Sequence, residues 1–131
     1  MNKFLASYIE TALWSSTDEF GIPLDNSKYS DAKMSPETLA RFKTNCALFQ
    51  EAYRKLTFGL DDSVLRSLPQ SDHDGDRIAH DFWLTHNHHG AGFWDGDYPE
   101  AIGKALTDPA HSFGECDLYV TDNGEVYTIH S

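Results

Sequence analysis

The sequence predicts a single α+β domain over residues 1–131, with about three to four helices packed on a small antiparallel sheet. Two apolar stripes at helical spacing predict helices. A turn signal, Asp122-Asn123-Gly124, between alternating segments predicts a C-terminal β-hairpin. Of the 131 residues, 40% are hydrophobic and 13% aromatic, which is enough for one core.

The first helix is predicted over residues 3–14, where apolar side chains recur every three or four positions. Ser15, Asp18 and Gly21 end it. Residues 21–34 form a polar, irregular connection, which residues 22–24 and Tyr29 anchor to the body.

The second helix has the clearest signals. Ser35 is a good N-cap and Pro36 suits the first helical position. An apolar stripe then runs for about 20 residues before Gly59, a plausible stop. The stripe consists of Leu39, Phe42, Cys46, Phe49, Tyr53 and Leu56.

The signals for secondary structure are weaker in the middle of the chain. Residues 61–68 predict a short helix that ends at Pro69, and residues 78–84 predict a short helix or strand. Pro99 opens a further helix, which residues 108–109 interrupt or kink. A hairpin of residues 117–121 and 125–129 needs a third strand or a helix to cover it, and residues 82–85 and 91–94 are the candidates.

The net charge of −11 is concentrated in the second half of the chain, where nine acidic residues follow Ile78 against one basic residue, Lys104. Such a surface repels nucleic acid and anionic membrane. It suits a basic protein partner, a cation or mimicry of the charge of DNA, and solubility alone is a further explanation of it. No apolar run approaches the roughly 20 residues that cross a bilayer. The expected location is the cytoplasm, with Cys46 and Cys116 as reduced core residues.

The most unusual stretch is residues 80–98, which holds four histidines and five aromatic residues among glycines. It indicates either the tightly packed centre of a small fold or a binding site. His86, His88 and His89 form an alternative metal site, although their spacing matches no zinc signature. No cofactor is expected.

Two further constellations carry weaker signals. Residues 72–76 alternate carboxylates before glycine but do not fit a calcium-binding EF-hand loop, because Trp83 stands where the final glutamate is needed. His80-Asp81 could belong to a hydrolytic site. The alternative function is therefore a small-ligand binder or hydrolase around Asp81, Asn87, His89 and Asp95, with Asp81 and His89 as the catalytic pair.

Four stretches together resemble a family of small acidic, uncharacterised bacteriophage and mobile-element proteins. They are residues 8–19, residues 35–40 with Cys46, residues 81–95 in the pattern DFWLTxNxHGAGFWD, and residues 113–120. The resemblance spans nearly the whole chain. The family pattern has arginine and glycine where this chain has His86 and His88, so only His89 of the three histidines fits it.

The resemblance implies an accessory protein of phage type acting in the host cytoplasm, and it brings no established activity with it. The leading hypothesis is a non-enzymatic protein that binds a host or phage protein, with a nucleic-acid-binding or defence factor as one expected target. Direct binding to nucleic acid or membrane is not expected, and the oligomeric state stays open. The expected binding residues are Asn87, His89, Trp94, Asp95, Asp97 and Glu100.

Overall fold

The computed structural model describes residues 3–18, 20–25, 33–61, 63, 76–87, 92–93, 98, 100–121 and 124–130. Within these ranges, four helices and three strands form one α+β arrangement, which confirms the predicted fold class. The helices are α1 (Lys3–Ser15), α2 (Pro36–Thr57), α3 (Asp76–His86) and α4 (Glu100–His111). The strands are β1 (Lys33–Met34), β2 (Cys116–Val120) and β3 (Glu125–His130).

The α2 helix begins as its sequence predicts. The Ser35 hydroxyl accepts a hydrogen bond from the backbone N–H of Thr38, with 3.1 Å between nitrogen and oxygen, and Pro36 occupies the first turn. The cap satisfies one backbone donor that the helix itself leaves unpaired. The helix ends at Thr57, two residues before Gly59.

The α1 helix matches its predicted range and is followed by a short ordered turn. The Asp18 carboxylate accepts hydrogen bonds from the backbone N–H groups of Phe20 and Ile22. Leu24 is buried, which confirms its anchoring role, whereas Tyr29 lies outside the described residues.

Residues 82–85 belong to α3, so of the two alternatives that the sequence left open, helix and strand, the structure has the helix. Gly92 and Phe93 lie in a bend and a turn and not in a strand, and the rest of that segment is outside the described residues. The predicted short helix over residues 61–68 and the acidic stretch 72–76 also lie almost entirely outside them.

The third strand is instead β1, from the segment predicted to be irregular. It pairs in parallel with β3, Lys33 opposite Glu125 and Met34 opposite Val126. The β2 and β3 strands form the predicted antiparallel hairpin, with Gly124 at a φ of 81° in its connection. The strand order is β1-β3-β2, and the sheet is therefore mixed.

The core is largely aromatic, and Tyr8 of α1 lies near its centre. The Tyr8 ring stacks on Phe82 at 5.3 Å between centroids and meets Phe42 and Trp83 edge-on. Phe49 of α2 stacks on Phe82 at 4.0 Å. Both cysteines are buried and free, as predicted. This packing fixes α3 between its neighbours and so positions the polar residues that α3 carries.

Candidate functional site

The α3 helix carries two of the candidate side chains, Asp81 and His86, and Asn87 follows it directly. Because α3 packs against both α1 and α4, residues 81–86 are all buried. A buried polar group without a hydrogen-bond partner is costly. The function of each candidate therefore depends on which partners hold it.

The Asp81 carboxylate, 1% exposed, accepts hydrogen bonds from three side chains. The Tyr98 hydroxyl lies 2.7 Å from Oδ2, and Arg77 Nε lies 3.3 Å from the same oxygen. His80 Nδ1 lies 3.1 Å from Oδ1. Burial, reinforced by the Asp81 carboxylate, raises the pKa of Tyr98 far above its ordinary value, so Tyr98 remains a donor. Both oxygens of Asp81 are engaged in holding the fold.

The His86 imidazole is fully buried and hydrogen-bonded through both nitrogens. Nδ1 lies 2.8 Å from the carbonyl oxygen of Gly114, which can only accept, so Nδ1 carries the proton. Nε2 lies 2.8 Å from the Tyr8 hydroxyl, which donates to it when the ring is neutral. A metal ion at either nitrogen would have to replace a buried hydrogen bond.

Asn87 joins the end of α3 to the start of β2. Its Oδ1 accepts from the backbone N–H of Cys116 at 2.7 Å, and its Nδ2 donates to the carbonyl oxygen of Trp83 at 3.0 Å. Asp81 and Asn87 are six residues apart, or about 9 Å along a helix axis. They share none of these partners, so the contacts do not bring this half of the alternative ligand or hydrolase site together.

The remaining candidates fall into two groups. His88, His89, Trp94, Asp95 and Asp97 lie outside the described residues. Glu100 is exposed in the first turn of α4, where its negative charge complements the helix dipole. Within the ranges described above, no group of three histidine, cysteine, aspartate or glutamate side chains is placed to hold a metal ion.

Exposed carboxylates continue beyond Glu100. Asp108, Glu115 and Asp117 are exposed, and Glu125 is half-buried. The basic side chains of α2, by contrast, include the exposed Arg41, Lys43, Arg54 and Lys55. Among the described residues from Glu100 onward, most of the acidic side chains therefore face solvent, whereas the earlier Asp81 is buried.

A polar cavity of about 360 Å³ was not predicted from the sequence. It lies where three separate parts of the chain meet: residues 15–17 at the end of α1, Trp83 and Asn87 at the end of α3, and residues 115–118 in and before β2. Such a site has no local sequence signature, because only tertiary packing brings its walls together. Of the lining residues that the structure describes, only Asn87 is among the binding residues predicted from the sequence.

Comparisons with protein-family models, with curated proteins and with solved structures found no match to this chain. Among the described residues, no helix is both long enough and apolar enough to cross a bilayer. The function is therefore inferred from the geometry and charge of the chain itself.

Proposed function

We propose that the chain is a non-enzymatic accessory protein of phage type that binds a basic surface of a host or phage protein through its acidic C-terminal half. The observation that carries this proposal is the exposure of the acidic side chains. From Glu100 onward, the described residues include four exposed carboxylates and one half-buried carboxylate, against the single ammonium group of Lys104. A cationic protein surface is the partner that such charge attracts.

The arrangement of the buried polar groups supports a binding role over catalysis. The side chains of Asp81, His86 and Asn87 form hydrogen bonds with other parts of the fold. Their partners are Tyr98, Gly114 and Cys116, respectively. Each is therefore accounted for by the stability of the fold. The carboxylates from Glu100 onward lie mostly at the surface, where a partner can reach them, which makes them the better candidates for function.

The same charge distribution favours a protein target over a nucleic acid. Phosphate groups would meet carboxylates along this half of the chain and would be repelled. Proteins that bind nucleic acid, among them defence proteins that act on it, carry a cationic surface, and these carboxylates complement such a surface. We therefore place such proteins first among the expected partners.

The proposal is tested by crosslinking in a bacterial host. The untagged protein is compared with the variant Asp95→Lys, Asp97→Lys and Glu100→Lys, and captured proteins are quantified by mass spectrometry. The control is Glu10→Lys, Asp25→Lys and Asp61→Lys, which changes the net charge equally at exposed positions in the first half of the chain.

We expect one stoichiometric basic partner with the wild type and the control, and its loss with the first variant while the circular dichroism spectrum is unchanged. Equal capture by all three proteins would contradict the assigned surface. Absence of any partner from a folded wild type would contradict the proposed function itself.

A further inference from the structure

The cavity at the end of α1 is partly open to solvent and has the size of a small binding pocket. Its volume of about 360 Å³ lies at the lower end of the range of roughly 300–1,000 Å³ that is usual for ligand pockets. This is enough for one planar or branched polar group and too little for a large cofactor.

The charged walls of this cavity are negative. Glu115 and Asp117 both line it, and none of its described lining residues is basic. Residues 15–17 add the C-terminal end of α1, and the last turn of that helix contains no basic residue. A helix C-terminus carries a partial negative charge, so it acts in the same direction as the two carboxylates.

The neutral walls direct their strongest donors into the protein. The indole N–H of Trp83 donates to Ser15 Oγ at 2.7 Å. The amide nitrogen of Asn87 donates to the carbonyl oxygen of Trp83. The acceptors among the lining residues are the carboxylates of Glu115 and Asp117 and the hydroxyl oxygens of Ser16 and Thr17.

We propose that this cavity binds a guanidinium or ammonium group, the two organic cations whose hydrogen-bonding atoms only donate. The proposal rests on the proposed function, because a basic protein partner would supply such a group as an arginine or lysine side chain. A free small cation offers the same chemistry. The cavity would then add a specific contact of defined geometry to an interaction that otherwise depends on long-range electrostatic attraction.

Binding is tested by nuclear magnetic resonance on the full-length ¹⁵N-labelled protein. The probe is N-acetyl-arginine amide, and N-acetyl-citrulline amide is the neutral probe of nearly the same shape. The reporters are the indole N–H of Trp83 and the backbone N–H of Cys116, both of which belong to cavity residues. The titration is repeated with Glu115→Gln/Asp117→Asn and with the control Glu10→Gln/Asp61→Asn, in which every replaced residue is exposed.

We expect saturable shifts at both reporters with the arginine probe, a dissociation constant on the order of millimolar, and no saturation with the citrulline probe. Binding should weaken at least about fivefold in Glu115→Gln/Asp117→Asn and stay unchanged in the control. Equal shifts with both probes, or undiminished binding by the cavity variant, would overturn the proposal. The comparison of probes on the wild type decides the matter even if the variant fails to fold.

Partner capture separates this inference from the proposed function. Loss of the captured partner in Glu115→Gln/Asp117→Asn supports a partner side chain as the source of the cation only together with saturable binding of the arginine probe to the wild type, because both carboxylates also belong to the acidic surface. Binding of the arginine probe without any captured protein supports a free cation and overturns the proposed function. A captured partner with no binding of the arginine probe overturns the cavity proposal and leaves the acidic surface standing.

Discussion

The Tyr98 hydroxyl donates a 2.7 Å hydrogen bond to Asp81, and both side chains are buried. The contact joins the middle of α3 to the residues just before α4, across 17 positions of sequence. It assigns a structural role to a carboxylate whose position beside a histidine, His80, had suggested hydrolytic chemistry.

Tyr98→Phe should lower the free energy of unfolding by about 1.5–3 kcal/mol, because a buried carboxylate loses its shortest hydrogen bond. Urea denaturation measures the change. Tyr119→Phe is the matched control, since Tyr119 is 41% exposed and should change stability by less than about 0.5 kcal/mol. Equal effects of the two substitutions would show that the buried bond contributes little.

His86→Ala should cost about 3–5 kcal/mol, since it removes a buried ring and leaves the Tyr8 hydroxyl and the Gly114 carbonyl group without their partner. Adding a chelator to the wild type should leave its melting temperature unchanged. If His86 instead belonged to a native metal site, the chelator would destabilise the wild type and have no effect on the variant.

Gly103→Ala should destabilise the protein by about 1–3 kcal/mol despite the higher helix propensity of alanine. A β-carbon at Gly103 in α4 would overlap the backbone carbonyl oxygen of Phe93. Gly59→Ala is the control, because a β-carbon there meets nothing within 4 Å. Thermal unfolding of both variants checks the prediction, and a stable Gly103→Ala protein would mean that this helix and turn separate easily.

Stability should fall as the pH rises above 9. Burial raises the pKa of the Cys46 thiol from its ordinary value of 9.0 to about 12. The unfolded chain therefore loses this proton first, and the stability that the neutral thiol contributes below pH 9 is lost as the pH rises toward 12. Between pH 9 and 10 the loss should be about 1 kcal/mol for this group.

Urea denaturation at pH 7, 9 and 10 measures that loss. The dependence should be smaller in Cys46→Ala, although the variant is less stable at every pH because its core has a cavity. Tyr8 and Tyr98, whose pKa values burial also raises, begin from an ordinary value of 10.0 and contribute mainly above that pH. The same slope in variant and wild type would assign the effect to other groups.

The elements with local signals were predictable from the sequence. Ser35-Pro36 and the stripe after it mark α2, and Gly124 marks the hairpin connection. The β1 strand was missed because it is two residues long and its pairing with β3 depends on contacts about 90 residues away. No periodicity can be read from two residues.

For α3 the sequence did not decide between helix and strand, although the segment is long enough to show a periodicity. Residues 81–86 are buried on every side, so the alternation of apolar and polar positions that separates helix from strand is absent. The polar residues among them, Asp81 and His86, were predicted as candidate catalytic or metal-binding residues because the sequence does not show their buried partners, which are 17 and 78 positions away. The cavity at the end of α1 was unpredictable for the same reason, since it combines three distant parts of the chain.

The most direct test of the acidic binding surface is the salt dependence of the complex with the captured partner. We expect the dissociation constant to rise at least about tenfold between 50 and 300 mM sodium chloride, because screening weakens attraction between exposed charges. The Asp95→Lys, Asp97→Lys and Glu100→Lys variant should bind far more weakly at 50 mM and lose most of this dependence. A dissociation constant that neither salt nor charge reversal changes would contradict the account.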